Sequence, residues 1–63
     1  MMEIKHKSFT AEATVEARQL LNDFIRNKPI PKENIINISY SMNLNDLYPF
    51  TYNLFYWDLA TNV

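Results

Sequence analysis

The sequence predicts an α+β fold of order β-α-β-β, in which one helix packs on one face of a three-stranded mixed sheet. Three observations support this prediction: an alternating segment at the start, a helical stripe of apolar residues in the middle, and two β-rich segments at the end. At 63 residues the chain has room for one small hydrophobic core. We expect residues 1–58 to form a single small domain and residues 59–63 to form a short tail.

The first strand is predicted over residues 2–8, where apolar and charged residues alternate with a period of two. Met2, Ile4 and His6 share one side of this strand, and we expect that side to face the core. A lone histidine in such a place is more often a packed, hydrogen-bonded residue than a catalytic base.

The helix is predicted over residues 11–27, because apolar residues recur there at spacings of three and four. Thr10 suits the N-cap position, and Pro29 ends the helix because it cannot donate a backbone hydrogen bond. Val15 lies off the apolar stripe and is expected to face solvent or a partner. The stripe itself consists of Ala13, Ala17, Leu20, Leu21, Phe24 and Ile25.

The second and third strands are predicted over residues 34–42 and 50–57, joined by a turn rich in Asn and Asp. A helical crossover makes the first two strands parallel, and the short connection makes the last two an antiparallel hairpin. The third strand is apolar on both faces, which suits the centre of a sheet. We therefore place it between the other two.

A single helix covers one face of a three-stranded sheet, so the other face is left open. Phe55, Trp57 and Ile35 are expected on that open face, and clustered exposed aromatic residues normally mark a contact surface. Val15 on the helix and Tyr48 in the turn are further candidate partner-binding residues. The sequence thus predicts an interaction surface on the sheet.

Three kinds of partner could cover this face. A second copy of the chain could pack sheet against sheet, with Trp57 and Phe55 as anchors. Single-stranded nucleic acid could stack on the same rings, although a net charge of −1 disfavours phosphate binding. A different protein or a small ligand is the third possibility.

The composition disfavours most site chemistry. The chain has no cysteine, no glycine and one histidine, so disulfides, thiolate metal sites and glycine-rich phosphate loops are excluded, and no cofactor or metal is expected. We find no catalytic motif and expect no enzyme activity. No apolar run is long enough to span a membrane, and we predict a cytoplasmic protein that does not bind membranes.

Several segments together resemble the small sporulation-protein family of endospore-forming bacteria, which has relatives in their phages. They are the charged strand Glu3-Ile4-Lys5, the helix segment Leu20-Leu21-Asn22-Asp23-Phe24-Ile25, the strand segment Ile35-Ile36-Asn37-Ile38-Ser39-Tyr40-Ser41 and the closing aromatic strand. The resemblance implies a small cytoplasmic protein without catalytic residues. A phage origin would further imply an inhibitor of a host system.

The leading hypothesis from the sequence is a homo-oligomeric protein-interaction module that occupies a partner's surface, in the manner of a phage-encoded inhibitor of a host defence protein. The alternative is a nucleotide-binding sponge with a pocket between subunits, lined by Tyr48, Trp57 and a lysine.

Overall fold

Three antiparallel strands and one helix make up the part of the chain that the computed structural model describes, residues 1–59. In chain order the elements are β1 (Met2–Ala11), α1 (Thr14–Asn27), β2 (Ile35–Met42) and β3 (Phe50–Leu59), with a short 3-10 helix at Lys32–Asn34 before β2. The predicted tail begins at Leu59, which is the last residue of β3, and residues 60–63 lie outside the described part.

The predicted α+β fold and the central position of the third strand are confirmed, because the strand order is β1-β3-β2. Both β1 and β2 pair antiparallel with β3, so they run in the same direction without touching each other. The predicted parallel relation of β1 and β2 therefore holds. The hydrogen-bonded pairs are antiparallel throughout the described sheet, which is consequently not mixed.

The core lies between α1 and the middle of the sheet. Leu54 on the central strand and Ala17 on the helix are both fully buried. Phe24 of α1 contacts the rings of Phe9 and Tyr56, with ring centroids 5.4 Å and 5.8 Å apart. The core cluster as a whole contains Phe9, Leu21, Ile30, Leu54 and Tyr56, with Phe24, Ile25, Ile35 and Tyr52 packed against it.

The predicted orientation of β1 is wrong. Phe9 and Ala11 are the buried residues of this strand, and they lie beyond the predicted end at residue 8. Since side chains alternate between the faces, Ile4 and His6 point away from the helix instead of into the core. The odd-numbered side of β1 is apolar near the C-terminal end of the strand, at Phe9 and Ala11, and the helix covers this side. The even-numbered side is apolar near the N-terminal end, at Met2 and Ile4, and the helix does not cover it.

A β-bulge at the start of β2 changes the expected face of one residue. The register shifts between Ile35 and Asn37, so Ile36 is an extra residue and Ile35 lies opposite Tyr56 on the helix side. Ile35 packs against the core cluster. Simple alternation had placed it on the open face, and that prediction is wrong because one inserted residue reverses the alternation.

The helix begins later than predicted. Thr10 is not its N-cap, since it pairs with Thr51 inside the sheet. The N-cap is Ala13, which has an extended backbone conformation and makes no side-chain capping hydrogen bond. Its backbone carbonyl accepts a hydrogen bond from the Ala17 amide at 3.1 Å. The end is as predicted, because α1 finishes at Asn27, just before Pro29.

Polar contacts fix α1 to the sheet near both of its ends. Thr14 Oγ1 lies 3.1 Å from the hydroxyl of Tyr40 on β2. At the other end, Lys28 Nζ lies 2.9 Å from Asp58 Oδ2, and Lys5 Nζ lies 3.7 Å from the same oxygen. The helix therefore runs along β3 in the direction of that strand, over β1 and β3.

We predict that Leu54→Ala destabilises the fold by about 2–5 kcal/mol, because it leaves a cavity where the sheet and the helix meet. Urea unfolding monitored by circular dichroism measures this loss. Leu47→Ala is the control, since Leu47 is 79% exposed in the loop and should change stability by less than about 0.5 kcal/mol. Equal effects of the two substitutions would contradict this description of the core.

We also predict that stability depends on Asp58 at acidic pH. The hydrogen bond from Lys28 is the largest cause that lowers the pKa of Asp58 below its ordinary value of 3.8, and the Leu59 amide adds to it. A carboxylate whose pKa is lower in the folded state stabilises the fold above the unfolded pKa, and this contribution is lost as the pH falls through the folded value.

Asp58→Asn should therefore be less stable than the parent chain at neutral pH, and the difference should shrink as the pH falls below 3.8. Urea unfolding over a pH series measures it, with Asp46→Asn at an exposed loop position as the control. A difference that stays constant down to the lowest pH would show that the ion pair makes no such contribution.

Candidate interaction surface

The sheet face opposite α1 is uncovered in the described part of the chain, and we call it the open face. On β1 it carries Met2, Ile4, His6, Ser8 and Thr10; on β3 it carries Thr51, Asn53, Phe55, Trp57 and Leu59; and on β2 it carries Asn37, Ser39 and Ser41. Apolar residues are concentrated at one end of this face and small polar residues at the other.

The apolar end of the open face consists of two cross-strand pairs, Met2 with Leu59 and Ile4 with Trp57. Their exposed fractions are 43%, 66%, 58% and 40% in that order. Large apolar side chains this exposed are unremarkable when they are scattered, but four neighbours on one rigid surface form a patch. The patch is the most apolar part of the open face.

The local register explains why the patch is two strands wide. The pairing of β1 with β3 continues to Leu59, whereas the pairing of β2 with β3 stops at Tyr56. No residue of β2 lies beside Trp57, because the chain forms the 3-10 helix Lys32–Asn34 before β2 begins. One margin of Trp57 is therefore left without a neighbouring strand.

Next to the apolar end lies a stacked pair of rings. The His6 imidazole lies parallel to the Phe55 ring, with centroids 4.5 Å apart and an interplanar angle of 17°. His6 Nε2 is 3.0 Å from Asn53 Oδ1, and the Ser8 hydroxyl donates to the same oxygen at 2.7 Å. His6 is thus packed and hydrogen-bonded as expected, but on the open face.

This polar group is not arranged as a nucleophile and its base. Asn53 Oδ1 is an acceptor, so His6 Nε2 carries the proton in its contact with that oxygen. Ser8 Oγ is 3.3 Å from the same nitrogen, which in this tautomer has no lone pair to take the serine proton. The cluster instead offers hydrogen-bonding groups beside the apolar end.

The cations of β1 point to the other side of the sheet. Lys7 Nζ lies 5.7 Å from the centre of the Phe24 ring, and Lys5 Nζ contacts Asp58 and Glu3. Of the open-face residues named above, not one is a lysine or an arginine. If Ile4 and His6 faced the core, as predicted from the sequence, Lys5 and Lys7 would lie on the open-face side; they do not, because the alternation of β1 is reversed. The open face lacks the positive charge on which nucleic-acid binding depends.

The structure brings together two of the five predicted partner-binding residues. Phe55 and Trp57 lie two positions apart on the open face, as predicted. Ile35 is on the opposite face, and Val15 is 64% exposed on α1, which also lies behind the sheet. Tyr48 is 51% exposed in the loop between β2 and β3, far from Trp57.

Met2, Ile4 and Leu59 belong to the apolar end but were not predicted there. Met2 and Ile4 had been assigned to the core side, and Leu59 to a tail. Phe9 could have corrected the first error, because a strand that continues to Phe9 has a second apolar side. The sequence contains no comparable signal that β3 extends to Leu59.

Residues 1–59 lack two other kinds of functional feature. They contain no cluster of three or more histidine, cysteine or acidic side chains that could hold a metal ion. Within the same range, no helix combines the length and apolarity needed to cross a membrane.

Comparison with protein-family models, with curated proteins and with solved structures finds no match to this chain. The resemblance to the small sporulation-protein family therefore stays an expectation from the sequence.

We predict that Trp57 is accessible in the folded protein, where it is 40% exposed. Since it is the chain's only tryptophan, its fluorescence reports the apolar end directly. Acrylamide should quench the native emission substantially, with the urea-unfolded chain as the reference for full access. Native emission that acrylamide does not quench would show that the patch is covered.

Proposed function

We propose that this chain is a non-enzymatic protein-interaction module that docks on a partner protein through the apolar end of the open face. The observation that supports the proposal is the pair of cross-strand contacts, Met2 with Leu59 and Ile4 with Trp57, exposed on a regular sheet. Tryptophan is among the residue types most enriched at binding hot spots, and strand positions hold it at little entropic cost.

The surroundings of the patch favour a partner's surface over face-to-face packing with a second copy. Sheet-on-sheet packing would also bury the polar half of the open face, including Ser39, Ser41 and Thr51. Buried polar groups need hydrogen-bond partners, and a second identical face supplies few in complementary positions. A partner that covers the apolar end can leave this polar half in water, where the His6 and Ser8 cluster forms a rim.

A module of this kind acts by covering a surface of its partner. For a chain of phage origin that partner would be a host protein, and the result would be inhibition. This inhibitor role is supported by the resemblance in sequence and not by any contact in the structure.

The structure supplies no observation in favour of a nucleotide sponge. Tyr48 lies before β3 and Trp57 near its end, and the seven residue-to-residue steps from Phe50 to Trp57 span about 23 Å. The described part of the chain contains no cavity that could form half of such a pocket.

Affinity capture followed by reconstitution tests the proposal. A protein recovered from lysate is purified, and its dissociation constant is measured by titration with the parent chain and with variants. Trp57→Ala should weaken binding by about 30-fold or more, the effect expected of a hot-spot residue. Ile4→Asp should weaken it as well, because it places a charge beside Trp57.

Two matched controls show whether the contact is at the apolar end. Val15→Asp changes an exposed apolar residue on the far side of the sheet, and Leu47→Asp changes one in the loop. Both should bind like the parent chain. Normal binding by Trp57→Ala together with loss in Val15→Asp would refute the proposal and would place the contact on α1.

A further inference from the structure

The outer edge of β2 is unprotected. Seven of its eight residues are exposed, and residues 1–59 provide no strand on its outer side. The sequence contains no charged residue and no proline from position 34 to position 45. Free sheet edges of this kind pair readily with another strand, and proteins usually block them with charge, proline or a covering element.

The other edge of the same sheet shows the usual protection. β1 carries Glu3, Lys5 and Lys7 on one side, and these charges oppose the approach of a further strand. The two edges of this small sheet therefore differ in charge: the β1 edge carries charged side chains and the β2 edge carries none. The contrast indicates that β2, and not β1, is built to be paired.

β2 also presents an apolar strip on the helix side of the sheet. Ile38, Tyr40 and Met42 lie opposite Leu54, Tyr52 and Phe50, and they are 42%, 45% and 56% exposed. They remain exposed because α1 lies over β1 and β3.

Tyr40 is held in a fixed position within this strip. Its hydroxyl lies 3.1 Å from Thr14 Oγ1, and its ring centroid is 4.9 Å from that of Tyr52. The strip is thus ordered before any partner arrives.

We propose that the occupant of this edge is a second copy of the chain, whose β2 pairs antiparallel with the first across a two-fold axis. This interface runs along the edge of β2, away from the apolar end of the open face, and it goes beyond the proposed docking function. When a strand pairs antiparallel with its own copy, directly opposite side chains lie on the same face of the sheet. Since side chains alternate between the faces, even-numbered residues must lie opposite even-numbered residues and odd-numbered opposite odd-numbered. The axis therefore passes midway between one residue and its own copy on the second strand.

An axis beside Ser39 leaves Ile36, the extra residue of the bulge, outside the pairing, which then runs from Asn37 to Ser41. Ile38 then lies opposite Tyr40 of the second copy, and Asn37 lies opposite Ser41. Aromatic and β-branched residues form favourable cross-strand pairs, and an uncharged strand meets its own copy without like charges in contact.

This arrangement also covers the apolar strip. A two-fold axis perpendicular to the sheet puts both helices on the same side, so the two strips of Ile38, Tyr40 and Met42 meet between them. A specific dimer at the lower size limit buries about 600 Å² per partner, roughly one eighth of the accessible surface of 4726 Å². Because a paired strand and its strip lie on adjacent surfaces, one contact can bury both.

Cysteine cross-linking tests the proposal, because the chain has no cysteine of its own. At the axis, residue 39 faces its own copy with Cα atoms about 4.5–5.5 Å apart, which is within the range of a disulfide. Ser39→Cys should form a covalent dimer on mild oxidation. Thr10→Cys, an exposed open-face position on β1, is the matched control and should react at least about tenfold more slowly, by random collision.

Charge exchange at the same position tests the symmetry. Ser39→Lys and Ser39→Asp should each weaken the dimer by about fivefold or more, since like charges then face each other at the axis. An equimolar mixture of the two variants should restore association, which an unfolded variant could not do. Sedimentation equilibrium measures all three samples, and Trp57→Ala should dimerise like the parent chain.

A parent chain that sediments as a monomer at every concentration would overturn the proposal. So would a dimer that is unaffected by both charge substitutions, or one that Trp57→Ala dissociates, since these results would place the interface elsewhere. A monomer that binds a foreign β-strand at this edge would equally refute pairing between copies. None of these results bears on partner docking at the apolar end, which is measured separately by the titrations.

Discussion

The placement of α1 along the central strand is the constraint from which the exposed surfaces follow. A helix of 14 residues covers a band about one helix wide, and here that band lies over β3 and β1. Leu54 at its centre is fully buried, whereas the helix-side residues of β2 are not. The contact of Thr14 with Tyr40 and the ion pair of Lys28 with Asp58 keep the helix on this line.

Two incompletely covered regions result, and each has a different character. The open face has a small apolar end and a wide polar half, so it suits a limited contact in which much of the surface stays hydrated. The edge of β2 offers backbone hydrogen-bonding groups together with an apolar strip, which suits pairing with another strand. The two regions lie on different parts of the sheet and can be occupied at the same time.

The broad architecture could be predicted because its signals are local and repeated. The spacing of Ala17, Leu21 and Phe24 indicates a helix wherever it packs, and a strand that is apolar on both faces belongs in the centre of a sheet. Which side of β1 faces the helix could not be predicted in this way. The side that faces the helix depends on where along the strand the helix lies. Phe9 and Ile4 are both apolar but lie on opposite sides of β1, so the sequence pattern alone does not decide between them.

The errors at the candidate site have the same origin. The bulge beside Ile35 inserts one residue, and no sequence pattern distinguishes the bulged strand from a regular one with alternating residues. Phe55 and Trp57 were placed correctly because they follow from the parity of the buried Leu54 alone. Ile4 and Leu59 joined them only through the register of β1 with β3, which is a long-range property of the fold.

The position of the apolar end at the far corner from β2 has a consequence for binding strength. In a pair of chains joined along β2, both apolar ends would point to the same side, at opposite corners, with the two Trp57 residues about 30 Å apart by strand spacing and rise. Such a pair is bivalent. It would hold a symmetric or repetitive target far more tightly than a single chain could, by avidity, and would discriminate against isolated copies of the same target.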